Sequence, residues 1–201
     1  KSFFLINVAN VVFSSGLFLI SGLFLELVEV TALSVCLRIC VALNLFVAGA
    51  NLYAAPHFSR LKNNNELEDL RIFTQKISRY LIIACGPILF LLIAFSNGIL
   101  SIFDESLSDF SWALRILVAA QFAAVLAGPS TYLLMMSGFE KEARNMSVIA
   151  GACAVFLVLM SSWRFGFDGA VISLALSLLL QFGLPIIIVR KKFGFFNFGL
   201  T

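Results

Sequence analysis

The chain has 201 residues, of which 61% are hydrophobic and only 12% are charged, with a formal net charge of +3. Soluble domains carry charged side chains at about a quarter of their positions, so this composition excludes most soluble folds. The 22 Phe residues and abundant aliphatic residues also exclude a disordered chain, because disorder requires low hydrophobicity and high charge. We therefore expect an all-α integral membrane protein, since a helix satisfies its own backbone hydrogen bonds in lipid.

Six segments are apolar and long enough to cross a bilayer as helices, which takes about 20 residues each. They are residues 3–25, 32–55, 77–95, 112–136, 147–163 and 169–189. Residues 1–201 are thus predicted to form a single six-helix transmembrane bundle. The first residue is Lys and the first apolar segment follows almost at once, so we expect the sequence to be an excerpt of a longer protein.

The charged residues between these segments alternate in sign from one connection to the next. Eleven of the 14 basic residues fall at the amino terminus, after the second and fourth segments, or after the sixth. The other connections carry six acidic residues, with Arg164 as their one basic residue. Because short cytoplasmic connections are enriched in Lys and Arg, both ends of the chain are predicted to be cytoplasmic.

The long connection after the second segment has a helical pattern of its own at residues 65–79. Asn65 is a suitable N-cap, acidic residues follow it, and Lys76 and Arg79 complement the other end of the helix dipole. Apolar residues recur every three or four positions from Leu67 to Leu81. We expect an amphipathic helix in the cytoplasmic interface that continues into the third span; the alternative is a solvated charged loop.

Each Pro residue lies within or at the end of a predicted span. Pro87 and Pro129 directly follow Gly, and we predict that both are bending points, because Pro removes a helical hydrogen bond. Pro185 is expected to act similarly near the end of the last span. Pro56 is expected to end the second.

Polar side chains within the spans must face other helices or water. Asn44 and Asn51 share one face of the second span, and Gln121 and Gln181 lie in the fourth and sixth. Hydrogen bonds between helices and a polar lumen are both compatible with this pattern.

Two arginines, Arg38 and Arg115, lie inside spans, at depths of roughly 9 Å and 5 Å counted from the outer helix ends. A guanidinium that faces a cavity can pair with phosphate through its planar set of donors. The alternatives are snorkelling to the surface or a structural pair.

The sequence has no carboxylate in the middle of a span and no cluster of catalytic or metal-ligating residues. We therefore expect no enzymatic activity, no metal and no cofactor. The basic residues are spread along one membrane side as orientation requires, so a nucleic-acid partner is not expected either.

Several short motifs point to a known family. They are residues 31–39 (TALSVCLRI), residues 55–61 (APHFSRL), Gly128-Pro129-Ser130 and residues 133–141 (LLMMSGFEK). These stretches resemble the polysaccharide-biosynthesis membrane proteins, or Wzx-type O-antigen flippases, of the multidrug/oligosaccharidyl-lipid/polysaccharide (MOP) exporter superfamily.

This resemblance implies the carboxyl-terminal half of a two-bundle transporter in the bacterial inner membrane. Its amino-terminal bundle would be a partner, and its substrate would be a lipid-linked oligosaccharide carried on polyprenyl diphosphate within the membrane lipid. In that case Arg38 and Arg115 are expected to contact the diphosphate. Asn44 and Gln121 are expected to contact sugar hydroxyls.

Three alternatives remain at this point. A multidrug cation antiporter of the same superfamily would require a membrane carboxylate, and a membrane-embedded transferase would require clustered catalytic groups. A structural scaffold would pair Arg38 with a carboxylate or with backbone carbonyls and would contain no cavity.

Overall fold

The structure, a computed structural model, describes residues 16–63 and 67–194, and all regular structure within them is helical. The elements in chain order are α1 (Leu17–Gly22), α2 (Leu27–Asn63), α3 (Leu67–Ala94), α4 (Ser96–Phe103), a 3-10 helix (Glu105–Phe110), α5 (Ser111–Ala127), α6 (Ser130–Met136) and α7 (Glu140–Phe193).

Four stretches of the described helices are long and apolar enough to cross a membrane. They are Leu27–Lys62, Glu68–Ala94, Glu105–Met136 and Glu140–Phe193. The predicted second and third spans lie in α2 and α3, and the predicted fourth span lies in α5 and α6. Residues 3–15 of the predicted first span lie outside the described residues.

The 54-residue helix α7 contains the predicted fifth and sixth spans as two arms that fold back on each other. A straight helix of this length would extend about 80 Å, yet Lys192 Nζ lies 3.1 Å from Glu142 Oε1. The chain reverses at Gly166, whose φ of 57° and ψ of −132° are not helical. Next to this turn, a Cβ on Gly169 would lie 2.1 Å from the Ser161 carbonyl oxygen, so only glycine fits there.

The prolines have different effects on their helices. The expectation that Pro56 ends its helix is wrong: α2 continues past it to Asn63. Beyond the proline, Phe58 is fully buried and packs on the Phe73 ring at 5.6 Å, and this packing holds the last turns in place. Pro87 and Pro185 also lie inside continuous helices. Pro129, in contrast, lies between α5 and α6, after Gly128 with a φ of 48°.

Residues 67–79 of the segment predicted to be an interfacial amphipathic helix form the first part of α3, and the predicted N-cap Asn65 lies outside the described residues. Within its apolar stripe, Leu70, Ile77 and Leu81 are buried in the protein core. The stripe therefore faces neighbouring helices of the same chain. The periodicity predicted the helix and its apolar face, but it did not distinguish a protein surface from a membrane surface as the partner.

Helix α5 lies at the centre of the bundle and contacts α2, α3, α4 and α7. Ala120, Ala124 and Ala127 are buried along one side of it. Small side chains at this spacing allow close approach of neighbouring helices.

One end of the bundle, which we call the basic end, brings together residues 57–62, 73, 139–142 and 190–193. His57 lies 5.1 Å from the Phe73 ring, and the Phe139 and Phe193 rings lie 5.6 Å apart. Lys62 Nζ lies 5.8 Å from the Phe193 ring centroid. The carboxyl end of α2, the start of α3 and both ends of α7 therefore meet where the basic residues are most numerous.

The opposite end, which we call the acidic end, contains residues 104–112 and 164–168. The Phe110 and Trp112 rings lie 4.8 Å and 5.8 Å from the Phe167 ring. Asp104 caps the 3-10 helix here, and its Oδ1 accepts hydrogen bonds from the Ser106 backbone N–H at 2.8 Å and the Ser106 hydroxyl at 2.7 Å. These bonds hold the pKa of Asp104 below its ordinary value.

Candidate functional site

Two of the predicted site residues, Asn44 and Gln121, contact each other between α2 and α5. Gln121 is fully buried and its Nε2 donates a hydrogen bond to Asn44 Oδ1. The other amide atom, Gln121 Oε1, has no hydrogen-bond partner among the described residues. The structure thus joins these two side chains and leaves one buried acceptor open.

A cavity of ≈ 120 Å³ lies beside the break between α5 and α6. Its walls come from α2, from the Gly128 turn, from α6 and from both arms of α7. The lining residues are Val47, Asn51, Gly128, Thr131, Tyr132, Leu134, Ala143, Met146, Ser147, Gln181, Phe182, Leu184 and Pro185. The Gly128–Pro129 break therefore opens onto a space between four helical segments.

The polar groups that line this cavity are amides and hydroxyls. Asn51 is only 6% exposed, and its Oδ1 has no hydrogen-bond partner among the described residues. Thr131, Tyr132 and Gln181 add further polar groups from α6 and from the second arm of α7. No charged side chain of the described residues lines the cavity.

The cavity and the Asn44–Gln121 pair lie at two levels of the same helix interface. Asn51 follows Asn44 by seven residues on α2, and Gly128 follows Gln121 by seven residues on α5. Seven helical residues make about two turns and a rise of about 10 Å. We call the combined set of Asn44, Gln121, Asn51, Tyr132 and Gln181 the polar track.

The chemistry of the polar track follows from its two open acceptors, Gln121 Oε1 and Asn51 Oδ1. A buried carbonyl oxygen without a donor costs about 1–3 kcal/mol. Water or a ligand hydroxyl can supply the missing donors, whereas an anion cannot. The track is therefore suited to a ligand that donates hydrogen bonds, such as one rich in hydroxyl groups, and not to an anion.

Arg115 is held by the start of α4. Its Nε donates to Ser96 Oγ at 2.6 Å and its Nη2 donates to Asn97 Oδ1 at 3.2 Å. Ser96 is fully buried. The predicted anion-binding residue thus links α5 to α4 near the acidic end, away from the cavity lining.

Arg38 lies on the exposed face of α2. It forms no ion pair or hydrogen bond with the residues that the structure describes. It does not line the cavity, and a rise of about 9 Å along the helix separates it from Asn44. The two arginines therefore do not converge with the two predicted sugar-contacting residues.

The predicted bending points also differ in their relation to the cavity. Pro129 follows the cavity-lining Gly128 directly, and Pro185 lines the cavity itself. Pro87 does not line it and lies within the continuous helix α3.

Sequence analysis did not single out Thr131 and Tyr132 as site residues. The available signal was their position immediately after Gly128-Pro129-Ser130, because side chains that follow a helix break can face the space which the break creates. Polarity alone gave no such indication, since Tyr and Thr are common in membrane helices without lining a cavity.

Comparisons of this chain with known protein families, with curated proteins and with solved structures gave no match.

Proposed function

We propose that the chain crosses the bacterial inner membrane six times, with the basic end in the cytoplasm. The crossings would be the first predicted span, α2, α3, α5 together with α6, and the two arms of α7. Two observations support this arrangement: the long apolar helices, and the meeting of basic segments from three parts of the chain at one end of the bundle. Lys and Arg are enriched on the cytoplasmic side of membrane proteins.

Within that arrangement, we propose that the protein is one half of a flippase for lipid-linked oligosaccharides. The observation that carries this proposal is the polar track, in which the open acceptor of Asn51 lines the cavity beside the Gly-Pro helix break and that of Gln121 lies about two turns away. Sugar hydroxyls would donate to Asn51 Oδ1 and Gln121 Oε1 as the oligosaccharide crosses. The polyprenyl chain would remain in the bilayer. The motifs similar to those of MOP exporters support the same conclusion.

The motion proposed for transport is alternating access between inward-open and outward-open states. The Gly128–Pro129 break is the site proposed for bending, because helix geometry is already interrupted there. Arg38, which is exposed and has no partner among the described residues, is the residue proposed to contact the diphosphate. Arg115 already donates to Ser96 and Asn97 within the chain.

The test is complementation of a flippase-deficient strain by the full-length protein. We expect Asn51→Leu and Gln121→Leu to lower surface polysaccharide by about two- to tenfold, the effect of losing one hydrogen bond. Arg38→Ala should lower it as well. Ser162→Ala is the matched control, because Ser162 is buried and its hydroxyl lacks a partner among the described residues, but it does not line the cavity. Normal polysaccharide in both amide variants at matched membrane abundance would contradict the proposal.

A cation antiporter of the same superfamily is less well supported. Such a site requires a carboxylate within the membrane, and no Asp or Glu of the described residues lines the cavity. Sodium or proton flux driven by a cationic drug, unchanged by Asn51→Leu, would favour the antiporter over the flippase.

A further inference from the structure

An apolar groove of ≈ 300 Å³ runs along the outside of the bundle between α2 and α3. Its walls are Phe46, Ala50 and Tyr53 on α2, and Ile77, Tyr80, Leu81 and Ala84 on α3. The rings of Phe46, Tyr53 and Tyr80 are each more than half exposed. Along either helix the groove covers eight residues, a rise of about 10 Å.

Toward the basic end, the groove ends at three neighbouring rings, those of Tyr53, His57 and Phe73. His57 lies 5.2 Å from Tyr53 and 5.1 Å from Phe73, so it joins the two helices at this point. Beyond the apolar walls, each helix places one exposed cation on the same face. Arg60 follows Tyr53 by two helical turns, and Lys76 precedes Tyr80 by one turn.

The described acidic residues at the start of α3 form no ion pair with these two cations. Glu68 forms an ion pair with Arg71 at 3.6 Å, and Asp69 lies about two turns farther from the groove than Lys76. Neither Arg60 nor Lys76 forms an ion pair with a described residue. From the basic end inward, α2 presents Arg60, then Tyr53, then Phe46, and α3 presents Lys76 directly before the groove residues Ile77 and Tyr80.

We propose that this groove binds an anionic glycerophospholipid of the cytoplasmic leaflet. One acyl chain lies between α2 and α3, and the phosphate contacts Arg60 and Lys76. The hydroxyls of Tyr53 and Tyr80 lie at the boundary of headgroup and hydrocarbon, where tyrosine is enriched in membrane proteins. This inference rests on the membrane insertion in the proposed function, and it is independent of the transported substrate.

The experiment measures lipid retention on the purified full-length protein. The protein in detergent is incubated with phosphatidylglycerol or with phosphatidylcholine of identical acyl chains, and bound lipid is counted by native mass spectrometry. The first variant is Arg60→Gln/Lys76→Gln. The second is Ala84→Trp, which fills the groove at an exposed position without changing charge. The control, Lys141→Gln/Lys191→Gln, removes two exposed cations from the same end away from the groove.

The wild-type protein and the control should retain phosphatidylglycerol in preference to phosphatidylcholine. Removal of each groove cation should reduce that preference about fivefold, and Ala84→Trp should reduce retention of both lipids. Equal retention of phosphatidylglycerol by the wild type and both groove variants would overturn the proposal. An equal loss in the Lys141→Gln/Lys191→Gln control would also overturn it, because the preference would then reflect total charge. Retention is read without any transport assay, so its failure is distinguishable from failure of the flippase proposal.

Discussion

The Arg115 guanidinium connects two helices through a fully buried hydroxyl, that of Ser96. Its exposed side can still be solvated, so the contact is a structural bond near the acidic end with access to water. A bond to a charged donor contributes about 1–2 kcal/mol in such a position. This geometry gives Arg115 a role in positioning α4 against α5.

We therefore expect Arg115→Ala and Ser96→Ala each to lower the free energy of unfolding by about 1–2 kcal/mol. The double variant should lose less than the sum of the two, because both substitutions remove the same bond. Thermal unfolding in detergent measures this coupling. Arg38→Ala is the control and should leave stability unchanged; strictly additive losses for Ser96 and Arg115 would contradict the structural role.

At the residue scale, the sequence predicted which polar side chains needed partners, but not which partners they have. Asn44 and Gln121 were both expected to face other helices, and they bond to each other because α2 and α5 are neighbours in the bundle. For Arg115, a structural pair within the protein was one of the expected alternatives. Its partners Ser96 and Asn97 come from a short helix that hydropathy does not reveal.

Among the elements, the turn of α7 depends on close contact between its two arms. The absent Cβ of Gly169 leaves room for the backbone of Ser161, and Gly166 supplies the positive φ that reverses the chain. A side chain at position 169 would overlap the backbone of Ser161. A side chain at position 166 would strain the backbone, because the φ there is positive.

We expect Gly169→Ala to destabilise the protein by about 1–3 kcal/mol, since the added methyl overlaps backbone atoms that cannot rotate away. Gly183→Ala is the matched control in the same arm. A Cβ there meets nothing within 4 Å, and alanine favours helix over glycine by about 1 kcal/mol. Melting temperatures of the two variants in detergent provide the measurement. Equal stability of both variants would mean that the arms are not packed as described.

The prolines illustrate where element prediction from sequence fails. Pro56, which is expected to end its helix, lies inside α2, whereas the bends expected at Pro87 and Pro185 are compatible with their places inside helices and stay predictions. Only the Gly128-Pro129 pair coincides with a described break between two helices, and there the backbone of Gly128 has left the helical region. Beyond Pro56, the buried Phe58 packs on Phe73 from another helix, and such a contact between distant residues is not encoded in local sequence.

For the molecule as a whole, the charge distribution defines two chemically different ends. The arrangement predicts that Lys141 and Lys191 face the cytoplasm, and that Asp109 and Asp168 face the opposite compartment. All four side chains are exposed. A Cys153→Ala background removes the exposed thiol among the described residues, while Cys36, Cys40 and Cys85 are buried.

Single cysteines at these four positions should therefore react differently with an impermeant maleimide. In intact spheroplasts, Asp109→Cys and Asp168→Cys should be labelled, while Lys141→Cys and Lys191→Cys should react only after the membrane is opened. Labelling of positions 141 and 191 in intact spheroplasts would invert the proposed topology. Labelling of all four would contradict membrane insertion.

The all-α class and the positions of the long helices were predictable from hydropathy, because lipid leaves few options for an apolar backbone. The polar track was predictable only in part. Asn51 and Gln181 belonged to the predicted polar set, but their convergence with Tyr132 depends on how α2, α6 and α7 pack. Helix rotation and crossing arise from contacts far apart in sequence, which periodicity does not contain.

The hairpin of α7 is fastened at both extremities, by the glycine turn near Ser161 and by the contacts of Glu142 with Lys192 and of Phe139 with Phe193. These contacts oppose separation of the two arms, so we expect the arms to move together. In the proposed membrane arrangement, displacement of this hairpin at one end would be passed to the other end. Bending during transport would then occur mainly at the Gly128–Pro129 break, which lies across the cavity from the hairpin.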